Sequence, residues 1–547
     1  MSRFFSYDNQ DVASAIKGLV STSSEQPLAM LTGDNNVKVV VRADWDKSKV
    51  AILSGGGAGH EPAHVGFVGK GMLTGAVVGD VFASPSVDAV LQAIIAVAGD
   101  SGCLLIVKNY TGDRLNFGLA AEQARAMGYD VKVLIVGDDI SLPDSSNPRG
   151  VAGTLFVHKI AGYLSETGED LDSIFLKLSQ ISKGIHSIGL ALTTCALPYH
   201  PTGANDFAPE LGLGIHGEPG FESVEIDNAR DAIEKMVQKL EPYYSNSPGK
   251  FAMLVNNLGS VSEIEMQILL SELADSELAS VVDIVFSPGS FMTALNMYGF
   301  SISLIQLDSS IERALKAPVS VERWPVPHQF EEVKTIEQQI IKSQSISGKH
   351  ENNRVEAIVM SVCRSLLEHE RELNALDAEV GDGDTGTTFA NAARSVISKL
   401  ETEGLPLNDA DQLLKCIGKD LSNVMGGSSG VLLSIFFTAA SHHLSQGNNL
   451  PEAFIEGLNK VQEYGGARQG DRTMLDAAIP AFEALLSGGD VSVAAASALK
   501  GAESTKTMTK AGAGRSSYLR EESLKGNMDP GAFAVAVMLS AAAKLKI

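Results

Sequence analysis

The period of the apolar residues changes once along this chain, and no other feature limits the fold as much. Up to about residue 330, short β-branched runs alternate with helical patterns. The stretches "VKVVV" (37–41), "VAILS" (50–54), "CLLIV" (103–107), "VKVLIV" (131–136), "FAMLV" (251–255) and "VVDIVF" (281–286) read as strands. They are bounded by Gly, Asp or Asn and nearly continuous in apolar character, as in strands buried in an α/β sheet. Amphipathic segments such as "SVDAVLQAIIAVA" lie between them. From Val355 the period becomes 3.6, with Val355, Ile358, Val359, Val362, Leu366 and Leu367 on one helix face. That pattern recurs to the end of the chain as about eight helices. A multidomain chain is expected: an N-terminal α/β domain over 1–330, made of one or two α/β subdomains, a polar linker at 331–353, and a C-terminal all-α bundle or barrel over 354–547.

The bulk properties narrow the function. At 547 residues the chain exceeds one core. Its net charge is −23, with no basic run. A nucleic-acid surface needs clustered Lys and Arg, and an anionic membrane surface attracts the same residues, so both partners are excluded. No window holds the roughly 18 apolar residues of a membrane span. The four cysteines are scattered without a C-x-x-C, and "MSRFFSYDNQDVASAI" lacks the charged-then-apolar design of a secretory signal. Reduced thiols in a cytoplasmic protein are expected.

Aspartates mark the chemistry of the helical half. In "LNALDAEVGDGDTGTTFA" (373–390), Asp382 and Asp384 flank Gly383, and Asp377 precedes them. The run Gly381 to Gly386 formally matches G-x-G-x-x-G. A dinucleotide loop, however, offers bare N–H groups to a pyrophosphate. Three carboxylates repel a triphosphate unless divalent cations lie between, and hard oxygen ligands of this kind suit Mg²⁺. A solvated turn capping the helix near Thr385 is the alternative; three aspartates so arranged favour the metal. Glycine-rich breaks in "VMGGSSGVLL" (424–433), "YGGARQGDRTMLD" (464–476) and "GNMDPGA" (526–532) each precede a helix, where N–H groups can hold phosphate.

In the α/β half, "LSGGGAGHEPAH" (53–64) follows a strand, so it is expected to form a loop at a strand's carboxyl end, where α/β sheets place ligands. The chain has no G-x-x-x-x-G-K-[ST], so these glycines suit close approach of a small polar molecule beside His60. A second strand end, "LLIVKNYTGDRLNF" (104–117), brings Lys108 and Asp113, a cation and a carboxylate able to bind and deprotonate a hydroxyl. In "LGLGIHGEPG" (211–220), glycines leave the His216 imidazole open. Each residue alone has a structural reading as turn former or polar contact, and composition does not name the reaction.

Taken together, "SGGGAGHEPAHVGFVGKGMLTGAVVGDVFASPS", "LLIVKNYTGDRLNFGLA", "GIHGEPG", "LNALDAEVGDGDTGTTF", "MGGSSG", "GDRTMLD" and "DPGA" resemble, in this order, the ATP-dependent dihydroxyacetone kinases of the single-chain type. The resemblance spans nearly the whole chain. It implies a triose substrate held in the first half as a covalent hemiaminal on His216, which selects carbonyl compounds over glycerol. The attacking imidazole has to be neutral. The resemblance also implies substrate contacts from the backbone of Gly57, Ala58 and Gly59, and from His60 and Lys108. Asp113 is implied as the base, with His60 in hydrogen-bond support.

For the second half the resemblance implies an eight-helix barrel binding ATP, with two Mg²⁺ ions on Asp377, Asp382 and Asp384. Nucleotide contacts fall on Thr385, Gly386, Thr387, Thr388, Ser428, Ser429, Gly465, Thr473, Met474, Asp529, Pro530 and Gly531. The two halves have to meet, within one chain or across a homodimer, and a linker of about 25 residues reaches roughly 25–30 Å. Two positions depart from the family pattern. Ala58 stands where serine is usual, and Arg520 where small residues are common. Three other activities are weighed: a phosphotransferase-dependent kinase, an FAD-AMP lyase, and a non-catalytic dihydroxyacetone sensor. Retention of His216, Asp113 and all three aspartates argues against the sensor.

Overall fold

The computed structural model describes residues 4–5, 10–23, 27–32, 37–142, 147–197, 208–321, 323–337, 352–402 and 404–545. It divides the chain into two units, Met1–Thr335 and Ile336–Ile547. Most of the stretch expected as a linker, 338–351, lies outside the described residues.

The first unit holds two sheets. Strands β1 (Leu28–Met30), β2 (Val39–Arg42), β3 (Ala51–Ala58), β4 (Gly75–Val81), β5 (Cys103–Lys108) and β6 (Val131–Val136) form the first, in the order β1-β2-β4-β3-β5-β6. Strands β3 to β6 are parallel, and β1 and β2 close one edge antiparallel. Strands β7 (Ile185–Thr193), β8 (Glu210–Leu211), β9 (Glu222–Ser223), β10 (Phe251–Asn257), β11 (Val282–Gly289), β12 (Tyr298–Gln306) and β13 (Pro327–His328) form the second. Its order is β13-β11-β10-β12-β7-β8-β9, and only β10 and β11 pair parallel.

Successive strand residues point to opposite faces, and the cores follow that alternation. Leu104 and Ile106 of β5 join one core, while Cys103, Leu105 and Val107 join another. The outer core packs helices α2 (Val87–Val97) and α3 (Thr111–Ala126) on the first sheet. The inner core is shared. Leu155, Phe156 and Ile160 of α4 (Thr154–Glu166), with Leu171 and Ile174 of α5 (Leu171–Ile181), meet Ile52 of the first sheet and Ala252, Leu254 and Ile284 of the second. On the outer face of the second sheet, Phe251, Met253 and Val255 pack under α6 (Ala229–Tyr244) and α7 (Glu263–Ala274). Two short helices complete the unit, α1 (Asp11–Ser21) and α8 (Ser309–Lys316). The subdomain expectation resolves as two sheets around one interior.

The glycine stretch expected as a loop is strand: β3 runs through Gly55, Gly56 and Gly57 to Ala58, entirely buried. Bare backbone lets it lie against β4 and the turn after it. A Cβ on Gly55 would collide with the carbonyl oxygen of Val77, and one on Gly57 would lie 2.7 Å from the amide nitrogen of Ala83. Backbone cannot yield as a flexible side chain does. Gly55→Ala is therefore expected to cost about 3 kcal/mol of stability, read as a lower denaturation midpoint in urea.

The second unit has no strand among its described residues. Its helices are α9 (Asn353–Glu368), α10 (Glu370–Val380), α11 (Thr385–Thr402), α12 (Ala410–Val424), α13 (Gly427–Ser445), α14 (Leu450–Gly465), α15 (Leu475–Leu486), α16 (Val491–Ser504), the single turn α17 (Glu521–Leu524) and α18 (Pro530–Ala543). Helix starts are marked as sequence rules require. Asn449 and Glu452 form a capping box on α14, and Asp529 caps α18 with Pro530 next to it. Packing runs α9-α11-α12-α13-α14-α15-α16-α18 and back to α9, a closed ring of eight helices, with α10 set against α11 and α18. No helix among the described residues is long and apolar enough to cross a membrane.

Candidate functional site

Each unit carries a polar constellation. In the second, Asp377 sits in the last turn of α10 and is buried, while Asp382 and Asp384 on the following loop are exposed. Gly383, at φ +80°, turns the loop back through the left-handed region that glycine enters without cost. The loop is pinned from behind: Asp384 and Thr385 donate their backbone N–H groups to Asp377 Oδ2, at 3.0 and 3.1 Å. One oxygen from each of the three carboxylates lies within 4.8 Å of the others. Three hard anionic donors at that spacing fit Mg²⁺.

These aspartates border a cavity of about 1000 Å³. Around it stand Thr385 and Thr388 of α11, Ser428 and Ser429 of α13, Gly465, Thr473 and Met474, and Asp529, Pro530 and Gly531 at the start of α18. The N-terminal turns of α11, α13 and α18 thus face one space, and such turns present N–H groups and a positive dipole end to anions. Gly426, before α13, has no side chain to cap that helix. Burial pushes the Asp529 carboxyl up to about 6, against the hydrogen bond from Ala532 N–H and the charge of Arg472.

Gly386 and Thr387, predicted to touch nucleotide, do not line the cavity. They fall on the side of α11 facing α10: Gly386 packs on Glu370, and Thr387 exchanges hydrogen bonds with Asn374 at 2.9 and 3.0 Å. The helical period separates them from Thr385 and Thr388. Sequence reasoning also missed the apolar wall of Val431, Leu432, Ile435, Val461 and Tyr464, which reads as ordinary core. It passed over Arg472 too, within the quoted "GDRTMLD". This guanidinium is buried at φ +60°; Nη2 donates to Asn527 O, while Nε and Nη1 have no partner among the described residues.

In the first unit, β3 delivers His60 just past its end, β5 delivers Lys108 as its last residue, and the first turn of α3 delivers Asp113. All three are buried. Lys108 Nζ, Asp113 Oδ1 and the Tyr110 hydroxyl have no hydrogen-bond partner among the described residues. Orphaned polar atoms at this depth are costly unless a ligand completes them. Gly56 explains why β3 needs bare backbone here: a Cβ on it would lie 3.3 Å from Lys108 Nζ. Burial lowers the Lys108 ammonium pKa, while Asp113, Glu218 and Asp138 act the other way.

His216 lies against Tyr110, His60 and Phe82. Its ring centroid is 4.6 Å from that of Tyr110, 4.8 Å from that of His60 and 5.1 Å from that of Phe82. His60 Nδ1 lies 2.7 Å from the Thr293 carbonyl oxygen, which only accepts, so that nitrogen carries a proton. His216 Nδ1 lies 3.1 Å from Glu218 Oε1. Burial raises the Glu218 carboxyl, but the hydrogen bond and charge of His216 outweigh it and hold the group at about 2. An ionised carboxylate only accepts, so His216 Nδ1 is also an N–H. The two Nε2 atoms face each other at 3.0 Å, a hydrogen bond only when one proton lies between them. Burial, then the charges of Lys108 and His216, holds His60 well below the usual histidine range.

Two of the expected residues make other contacts in this structure. His60 was expected to support Asp113, yet its ring nitrogens are engaged by Thr293 and His216. The backbone of Gly59 was expected to meet substrate, yet its N–H donates to Glu61 Oε2 at 2.9 Å and its carbonyl accepts from Leu295 N–H at 2.8 Å. The Ala58 carbonyl likewise accepts from Phe82 N–H at 2.9 Å. Glu218 and Tyr110, both inside quoted motifs, went unremarked because nothing in a linear sequence shows which neighbour a side chain turns to.

Two domain families match the chain, Dak1 over residues 18–323 and DAK2 over residues 379–544. A dihydroxyacetone kinase of Citrobacter freundii is 50% identical, covering 100% of this chain and 99% of the relative. A triokinase/FMN cyclase of Homo sapiens is 40% identical, covering 96% of each. Among solved structures, the dihydroxyacetone kinase of C. freundii in complex with AMP-PNP and Mg²⁺ matches with a TM-score of 0.82 and 48% identity, covering 100% of both chains.

Proposed function

The chain belongs to the dihydroxyacetone kinase family, and from that premise we propose that it transfers the terminal phosphoryl group of ATP to a hydroxyl of dihydroxyacetone, and likewise of glyceraldehyde. One observation carries the reading: the His216 imidazole packs on Tyr110, whose hydroxyl, like the Lys108 ammonium and an Asp113 carboxylate oxygen, is buried without a hydrogen-bond partner among the described residues. A small molecule with a carbonyl flanked by hydroxyls satisfies all three.

The His216 Nε2 lone pair adds to the carbonyl carbon. The displaced C=O electron pair takes a proton from the Lys108 ammonium, leaving a neutral amine and a hydroxyl on the substrate. The ring becomes an N-substituted imidazolium, its charge facing Glu218 across 3.1 Å. Lys108 donates to a substrate oxygen, and Asp113 takes the proton of the terminal hydroxyl as its oxygen attacks the γ-phosphorus and ADP departs. The tether converts this attack into a step between held partners.

In the second unit Asp377, Asp382 and Asp384 would hold Mg²⁺, two ions in this reading, and the N-terminal turns of α11, α13 and α18 would take the phosphates. When bound, the metal neutralises phosphate charge. A cytoplasmic homodimer is part of the same reading.

An assay coupled to dihydroxyacetone phosphate, with ATP and Mg²⁺ the sole additions, is expected to show turnover. Turnover only on supplying phosphoenolpyruvate and phosphocarrier proteins would replace this reading with the phosphotransferase-dependent one. Substrate binding without turnover would replace it with a sensor.

A further inference from the structure

The loop that carries His216 is folded around one carboxylate. Glu218 Oε2 accepts the backbone N–H of His216 at 3.0 Å, and Oε1 accepts the Nδ1–H of the same residue at 3.1 Å. A side chain two residues on reaches back because Gly217 stands at φ +79° and reverses the chain. The turn is closed by Gly217 N–H to Gly214 O at 3.0 Å and by Gly214 N–H to Glu218 O at 2.9 Å. Gly214 has to be bare, since a Cβ there would fall on Glu218 Oε2. Arg149, which also crosses Gly214, is engaged with Asp139, Ser141 and the Gly212 carbonyl, so the carboxylate is left to His216. Gly214, His216, Gly217 and Glu218 of "GIHGEPG" each have a part in this clamp.

We propose that Glu218 is a positioning residue that decides which nitrogen of His216 is the nucleophile. A carboxylate cannot donate, so the ring proton stays on Nδ1 and the lone pair on Nε2, the atom that lies 3.0 Å from His60 Nε2. The same carboxylate then lies opposite the new C–N bond, where the imidazolium charge appears. The inference rests on the covalent reading of His216.

Glu218→Gln separates charge and tautomer from shape. The backbone N–H of His216 requires an acceptor, so the glutamine carbonyl turns to it and the amide NH₂ faces Nδ1. Nδ1 must then accept, the ring proton moves to Nε2, and the lone pair needed for attack is lost. Loss of the right tautomer in an intact triad costs a comparable hydrolase on the order of 10⁴-fold in kcat. The expected loss here is on the order of 10²- to 10⁴-fold in kcat/KM.

Long-range ¹H–¹⁵N spectra of histidine-labelled full-length protein read the tautomer without turnover. [2-¹³C]Dihydroxyacetone reads the adduct as replacement of the ketone signal by a tetrahedral carbon. Wild type is expected to show Nδ1–H on His216 and the tetrahedral signal; Glu218→Gln is expected to show Nε2–H and a free ketone. Gly214→Ala, which displaces the carboxylate while keeping its charge, is expected to lose the adduct as well. Should Glu218→Gln fail to fold, Gly214→Ala alone decides. An unchanged tautomer and adduct in the folded variant overturns the role of Glu218. An adduct that survives His216→Gln overturns the covalent reading instead.

Discussion

Asp384→Ala should leave a folded protein whose kinase turnover falls on the order of 10³-fold, because electrostatic stabilisation of a transferring phosphoryl group is the largest single contribution such a site makes. Asp384 begins the first turn of α11, accepting the N–H of Thr388 at its own carbonyl, and it belongs to a three-carboxylate cluster whose oxygens lie within 4.8 Å of one another. Its side chain is exposed, so removal leaves no cavity and the melting temperature should barely move. Raising Mg²⁺ should recover part of the rate if the remaining carboxylates still bind weakly. Full turnover in the variant at ordinary Mg²⁺ would discard the metal assignment.

His216→Gln should lower kcat/KM for dihydroxyacetone by about 10³-fold or more, since a tether that fixes the reacting hydroxyl replaces a chance encounter. The signature lies in selectivity. Without an imidazole to add to a carbonyl, the variant should lose its advantage for dihydroxyacetone over glycerol, and both should be phosphorylated at a similar, slow rate. Competition assays with the two substrates measure this directly. A variant that still prefers the ketone strongly would place discrimination in the pocket walls, at Tyr110 and Phe82, rather than in a covalent bond.

The six runs expected as strands are all strands, since continuous apolar character in short β-branched runs has few other outlets. Two of the strands missed, β7 and β12, alternate instead: "IHSIGLALT" and "YGFSISLIQ" place serines among apolar residues. Ser187 and Ser303 are fully buried and hydrogen-bonded to each other at 2.7 Å, with Ser187 also donating to Asp138 at 2.6 Å. A polar residue in a strand looks like a solvent face until its partner on the neighbouring strand is known.

The acidic site was more legible than the imidazole site for a related reason. Asp377, Asp382 and Asp384 lie within eight residues and are gathered by one helix end and one left-handed glycine. His60 and His216 are 156 positions apart, and their contact depends on how the second sheet is folded against the first. The Glu218 clamp spans two residues, yet it was hidden because it needs the conformation of Gly217, which no composition reveals.

The interior shared by the two sheets has a mechanical meaning. His60 hangs from the first sheet, whereas Thr293 and His216 hang from loops of the second, and α4 is buried along almost its whole length between them. A single dense filling joins both supports, and such fillings resist compression and transmit strain. Among the described residues, that filling sets the 3.0 Å spacing of the two imidazoles. In the proposed reading, the triose would meet a spacing set by the leucine and phenylalanine side chains of that interior.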